Sequence, residues 1–203
     1  MAGPGATNSS PAGAEEAVLK TLAYFDIFHY PLTQTEIHTF LPATVSPARV
    51  EQALARLLEQ QTIFQHDGFF SLHNNPLLVH RRMKGNEKAV ELLAKGQQIG
   101  RFLYQFPFVK AVGISGSLSK NFAGQKADID FFIITSANRL WIARTLMHLY
   151  KKLTFLTGRQ HLHCMNYYVD EQAFVLEERN VFTATELKTV LPVSGDKDMQ
   201  SFF

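Results

Sequence analysis

Two short polar groups stand at the ends of apolar stretches in the middle of the chain. Gly116-Ser117 follows the apolar run 109–114, and Asp128-Ile129-Asp130 opens the run 128–135. Both runs are rich in β-branched and aromatic residues, which predicts buried strands. Side chains alternate along a strand, so we expect both carboxylates on one face. A hydroxyl-bearing turn beside two carboxylates is suited to holding a metal-bound polyphosphate, because Mg²⁺ prefers carboxylate and phosphate oxygens.

Further residues around these groups are candidates for the same site. Lys120 and Lys126 lie in or near the intervening loop and could contact phosphate, although loop lysines are more often solvated. The alternative interpretation is structural: Asp128 caps a turn and Asp130 is an edge charge. Two carboxylates at the head of an apolar strand are costly to bury without partners, which favours a functional role.

We consider the third predicted strand, 162–169, for a third carboxylate and for a metal site. It carries Asn166, and no acid before Asp170 at its end. The cluster His161, His163 and Cys164 has no second ligand pair and matches no zinc spacing, so we expect a satisfied histidine pair and a core thiol.

The composition limits which classes of protein this chain can belong to. The chain has 203 residues, 46% of them hydrophobic and 19% charged, with a formal net charge of +2. This charge is too small to indicate nucleic-acid binding by itself. A single cysteine predicts a reducing, cytoplasmic setting. The apolar segment 140–156 contains Arg144, His148 and two lysines, which indicates an amphipathic helix and no membrane span.

The first part of the chain predicts a small helical domain. Residues 1–14 are rich in glycine, serine and proline and are expected to form a disordered leader. Between 15 and 75, three helices are expected, with Thr33 and Ser46 as caps of the second and third. The turn His66-Asp67-Gly68 between apolar runs predicts a hairpin. This order resembles a winged-helix domain, whose implied DNA binding has little support because Arg49 and Arg56 on the third helix are balanced by acids.

The second predicted domain covers 76–203. A long helix over 77–104 is expected to bend or divide at Gly85 and Gly96, and its basic stretch 80–84 is interpreted as a solvated face. After the two central strands, Ser136 is placed to cap the helix that reaches 156. The spacing of Thr183 and Glu186 is that of a capping box, which predicts a final helix to about 191 and a short polar tail.

Gly116-Ser117 followed by Asp128-x-Asp130 resembles the signature of the DNA polymerase beta-like nucleotidyltransferase superfamily, over roughly 107–191. The resemblance implies an α+β fold in which a winged-helix-like domain precedes a mixed sheet flanked by helices, compatible with bacterial members. It implies that Asp128 and Asp130 are catalytic and bind Mg²⁺ or Mn²⁺, while Gly116, Ser117 and Lys120 bind the nucleotide. Active members carry a third carboxylate where Asn166 stands here, so Asn166 is the third position of interest.

The expected function is therefore transfer of a nucleoside monophosphate from a nucleoside triphosphate to an unidentified acceptor. If Asn166 marks the loss of a base, three alternatives follow. Asp170, Glu177 or Glu178 replaces it, the acceptor is activated differently, or the domain is a catalytically impaired nucleotide sensor or interaction protein. A winged-helix DNA-binding regulator is a third hypothesis. The C-terminal part leaves little sequence for an acceptor pocket. Three alternatives are open: a minimal version of the domain, a site completed by a partner chain, or a chain truncated relative to its relatives.

Overall fold

The computed structural model describes residues 11–42, 44–125, 127–154, 162, 164–172 and 181–202. The chain divides into two compact units, Met1–Lys84 and Gly85–Phe203. The described parts of both combine helices with a sheet, so the predicted α+β class is confirmed. Within the ranges above, no helix is both long and apolar enough to cross a membrane.

The first unit pairs helices with a small antiparallel sheet in the order β1-β3-β2. Its elements in chain order are α1 (Pro11–Asp26), β1 (Leu32–Thr33), α2 (Gln34–Phe40), α3 (Pro47–Glu59), β2 (Phe64–His66) and β3 (Phe69–Ser71). Helix α1 starts at Pro11, so residues 11–14 of the expected disordered leader are helical, and residues 1–10 lie outside the described residues. Proline is well tolerated in a first helical turn. The apolar stripes of the helices are buried, for example at Val18, Ile37 and Leu54.

Local signals account for the shape of this unit. Thr33 caps α2 in a reciprocal capping box with Glu36, as expected for its N-cap position. Ser46 is the N-cap of α3, but its side chain makes no capping hydrogen bond. Asp67 and Gly68 have φ values of 48° and 81°, and they join β2 to β3 in a two-residue hairpin. The hairpin prediction is therefore confirmed, because a turn with two positive φ values favours Asp-Gly.

The predicted solvated basic face is wrong at Arg82. This side chain is only 3% exposed, and its guanidinium donates hydrogen bonds to Glu36 Oε1 at 2.6 Å and to the Pro31 carbonyl oxygen at 3.0 Å. It also lies 3.7 Å from the centroid of the Tyr30 ring. A buried arginine needs such partners, and these come from residues about fifty positions earlier in the chain.

Helix α4 (Leu77–Leu103) is continuous, contrary to the expected division at glycine. A Cβ at Gly96 would lie 2.8 Å from Ile114 Cδ1, and one at Gly100 would lie 2.8 Å from Val193 Cγ1. These glycines therefore let the helix pack closely on the second unit's sheet.

The second unit is built on a mixed sheet in the order β6-β5-β4-β7, in which β5 and β6 are parallel and β4 is antiparallel to both its neighbours. Its further elements are β4 (Val109–Ser115), α5 (Gly116–Ser119), β5 (Asp130–Thr135), α6 (Leu140–Thr154), β6 (Cys164–Asp170), α7 (Val181–Lys188), β7 (Leu191–Ser194) and α8 (Asp196–Phe202). Ser136 does not cap α6, which begins only at Leu140. Strand β7 lies at the end of the sheet order, where Pro192 is tolerated because an edge strand needs fewer backbone donors.

Both faces of this sheet are covered. Phe131 and Ile133 of β5 belong to a buried cluster that includes residues of α4 and α6. The alternate residues Phe132 and Ile134 belong to a second cluster that includes Met199 of α8. Burial on both faces explains why β5 is an uninterrupted apolar run.

Candidate functional site

The turn after β4 requires glycine for two reasons. Gly116 has a φ of 71°, in the left-handed region that side chains disfavour. A Cβ at this position would also lie 2.5 Å from Oδ2 of Asp130, inside the contact distance of carbon and oxygen. The Asp130 carboxylate is therefore packed directly against the backbone of the turn.

Strand pairing brings the two polar groups together. Ser115 at the end of β4 is the register partner of Asp130 at the start of β5. The antiparallel arrangement places the beginning of one strand beside the end of the other. Gly116 and Asp130, which are fourteen positions apart in the sequence, become neighbours in the fold.

Asp128 and Asp130 have different surroundings. Strand β5 begins at Asp130, two residues later than predicted, and Asp128 is exposed in the loop before it. Ile129 between them is fully buried, so the two acids flank a residue of the core. The exposed Asp128 is open to solvent and ligand, whereas Asp130 is half-buried against the turn.

The pKa of Asp130 is raised above its usual value. Burial is the largest cause, because it disfavours the charged form, and the negative charges of Asp128 and Glu186 act in the same direction. A hydrogen bond with the thiol of Cys164 and the positive charge of Lys120 oppose the rise in this pKa. The arrangement favours a bound cation or proton at the Asp130 carboxylate.

A carboxylate that the sequence did not assign to the site, Glu186, comes from α7. The backbone N–H of Gly116 donates to Glu186 Oε2 at 3.2 Å, and Lys120 Nζ donates to Oε1 at 2.7 Å. The predicted capping box is wrong, because α7 begins at Val181 and Thr183 lies inside the helix. No local pattern signals this contact, since the partners are 70 and 66 positions apart.

Lys120 is an integral part of the turn. Its side chain is 9% exposed, and Nζ donates to the Gly116 carbonyl oxygen at 3.0 Å as well as to Glu186. Ser117 is exposed, and its carbonyl oxygen accepts the N–H groups of Lys120 and Phe122, which closes the short helix. Lys126 lies outside the described residues.

The strand next to Asp130 places no described acid at this end. Asp130 is the register partner of Cys164, and Asn166 is the extra residue where the register shifts. The backbone of Asn166 belongs to β6, while its side chain lies outside the described part of the structure.

Asp170 lies at the other end of the same strand. It is the register partner of Thr135, five residues or about 17 Å along β5 from Asp130. Its carboxylate accepts the N–H of Asn138 at 2.6 Å and that of Gln172 at 2.9 Å. Asp170 therefore cannot act as the base of this site. His161, His163, Glu177 and Glu178 lie outside the described residues.

The two carboxylates at the turn fit a metal ion that is also bound by substrate oxygens. Among the described residues, no three histidine, cysteine or acidic side chains form a group that could hold a metal ion. Mg²⁺ is commonly held by one or two carboxylates together with substrate phosphates and water, so such a group is not required. Asp128 and Asp130 are the two carboxylates at this turn that could hold a metal ion in this way.

No protein-family model, curated protein or solved structure matches this chain.

Proposed function

We propose that the second unit is a nucleotidyltransferase-type domain of the DNA polymerase beta-like superfamily, which binds a nucleoside triphosphate with Mg²⁺ or Mn²⁺. It would transfer the nucleoside monophosphate to an unidentified acceptor, forming a bond from the acceptor oxygen to the α-phosphorus and releasing pyrophosphate. One observation carries the proposal: Gly116 adopts a positive φ directly against the Asp130 carboxylate. The two halves of the motif thus form one turn-and-carboxylate site.

Each residue has a specific role in this proposal. The exposed Ser117 hydroxyl, with the Gly116 turn, would hold phosphate oxygens, and Lys120 would add positive charge beside them. Asp128 and Asp130 would hold the metal ion, which would neutralise charge on the triphosphate. The transfer itself depends on positioning and electrostatics, so the rigid pairing of β4 with β5 supports it.

A second candidate function is supported by the neighbour of Asp130. Its partner on β6 is Cys164, and this end of β6 carries no described acid that could take the acceptor's proton. A general base contributes about 10²–10⁴-fold to a rate. A domain without one would bind nucleotide and serve as a catalytically impaired sensor or interaction protein.

A thermal-shift panel of nucleoside triphosphates, with and without Mg²⁺ or Mn²⁺, tests the nucleotide site. Binding at 100 times Kd would stabilise the fold by about 2.7 kcal/mol. We expect a metal-dependent shift that Asp128→Asn and Asp130→Asn each abolish. Asp170→Asn, which makes the same charge change at the far end of the neighbouring strand β6, is the matched control and should keep the shift.

The same proteins separate the two candidate functions. Release of pyrophosphate on adding acceptor mixtures would support the transferase, and binding without release would support the impaired domain. Absence of any metal-dependent nucleotide shift in the unmodified protein would contradict both.

We propose that the first unit is a winged-helix-like domain that serves as an interaction module. Its order of three helices followed by a hairpin, and its β1-β3-β2 sheet, support this proposal. Contact with the phosphate backbone of DNA requires a positively charged helix face. On α3, Arg56 pairs with Glu15 at 3.4 Å. The helix carries Glu51 and Glu59 as well as Arg49 and Arg56, so it has no net positive charge. We therefore favour a protein partner over DNA.

A further inference from the structure

The carboxylate of Glu186 accepts hydrogen bonds from Gly116 and Lys120, two of the residues proposed to hold the nucleotide's phosphates. We propose that Glu186 is an internal anion that competes with polyphosphate for the Gly116 turn, and that binding of a triphosphate displaces it. This inference rests on the proposed function, because it concerns the occupancy of the same site.

Two contacts place Glu186 there. Oε2 accepts the Gly116 N–H at 3.2 Å, and Oε1 accepts Lys120 Nζ at 2.7 Å. A backbone N–H and a lysine ammonium are also the donors that phosphate oxygens accept from most readily. One carboxylate therefore accepts from two of the donors that the proposed function assigns to the polyphosphate.

The surroundings allow the exchange. Lys120 is nine-tenths buried, so it cannot turn to a distant anion, whereas the Glu186 side chain is 25% exposed. Glutamate has several rotatable bonds, and its rotation would free both donors without unfolding α7. Lys120 would keep its hydrogen bond to the Gly116 carbonyl oxygen during the exchange.

The negative charge of Glu186 is expected to weaken the binding of polyphosphate. Glu186 adds a negative charge beside Asp128 and Asp130, and like charges at close range repel. An incoming triphosphate meets this repulsion unless Glu186 moves away or a cation enters with it. Glu186 therefore lowers affinity for free polyphosphate and makes binding more dependent on the divalent metal.

The test is isothermal titration of the full chain with inorganic tripolyphosphate, in buffers with and without Mg²⁺. Glu186→Gln removes the charge and nearly keeps the shape, and we expect its affinity to rise about tenfold, most of all without Mg²⁺. Glu171→Gln is the matched control, because Glu171 also accepts a backbone N–H, from Ala137 at 2.9 Å, and pairs with a lysine, Lys110 at 3.8 Å. It should bind as the unmodified protein does.

A measurement on the unmodified protein covers the case in which the variant does not fold. Saturating Mg²⁺-tripolyphosphate should accelerate amide hydrogen exchange in α7, since the helix loses its contact with the turn. Equal affinities of Glu186→Gln and the unmodified protein, or unchanged exchange in α7 at saturation, would overturn the inference while the proposed function stands. Failure of every protein to bind tripolyphosphate with Mg²⁺ would overturn both.

Discussion

Replacement of Gly116 by alanine tests the geometry of the turn most directly. The new Cβ would have to adopt a φ of 71° and would lie 2.5 Å from Asp130 Oδ2. The first effect costs about 1–2 kcal/mol for an L-residue. Turning the Asp130 side chain away from its rotamer costs about 0.5–1.5 kcal/mol more. We expect Gly116→Ala to lower the free energy of unfolding by about 2–3 kcal/mol.

Alanine substitutions at two other glycines distinguish the cost of the positive φ from the cost of the clash with Asp130. Gly68 has a φ of 81° with nothing within 4 Å of an added Cβ, so Gly68→Ala should cost only the backbone part, about 1–2 kcal/mol. Gly124 has an ordinary φ and equally open surroundings, so Gly124→Ala should change stability by no more than about 0.5 kcal/mol. Denaturant unfolding followed by circular dichroism measures all three.

A double-mutant cycle with Asp130→Ala identifies the clash itself. Removing the carboxylate eliminates the nearest atoms to the new Cβ, at 2.5 and 3.3 Å. Gly116→Ala should then cost about 1 kcal/mol less in the Asp130→Ala background than in the unmodified protein. Our reasoning is refuted if the cost is the same in both backgrounds, or if Gly116→Ala is no worse than Gly68→Ala.

Two further predictions concern charge. Because the folded pKa of Asp130 is raised, its ionised form destabilises the fold above that pKa, and the cost vanishes as pH falls below the ordinary value of 3.8. Asp130→Asn should therefore stabilise the protein near pH 7 and should not stabilise it below about pH 3.8. Thermal unfolding of both proteins across this pH range measures the difference, and a stabilisation that is the same at every pH would contradict the prediction. Arg82→Ala should destabilise the first unit by about 3 kcal/mol, because Glu36 loses its buried partner. The exposed neighbour Lys84 is the control, and Lys84→Ala of similar effect would refute a specific role for Arg82.

Several features follow from residues that are adjacent in the chain. The Thr33 cap, the Asp67-Gly68 hairpin and the apolar run of β5 each depend on backbone preferences or side-chain alternation over a few positions. Such preferences act before any distant contact forms, and the sequence alone was sufficient to predict them. Gly116 is a similar case, since a glycine between a strand and a short helix predicts a turn.

Other features depend on how distant elements pack. The position of Glu186 on the Gly116 turn and the burial of Arg82 against Glu36 join residues 70 and 46 positions apart. The register of β5 against β6 places Cys164 beside Asp130 and moves Asp170 to the far end. The sequence reveals which of these side chains carry charge, but their partners are chosen by sheet order, register and helix packing. Only the tertiary structure determines which charges meet, because Coulomb energy depends on distance in space and not along the chain.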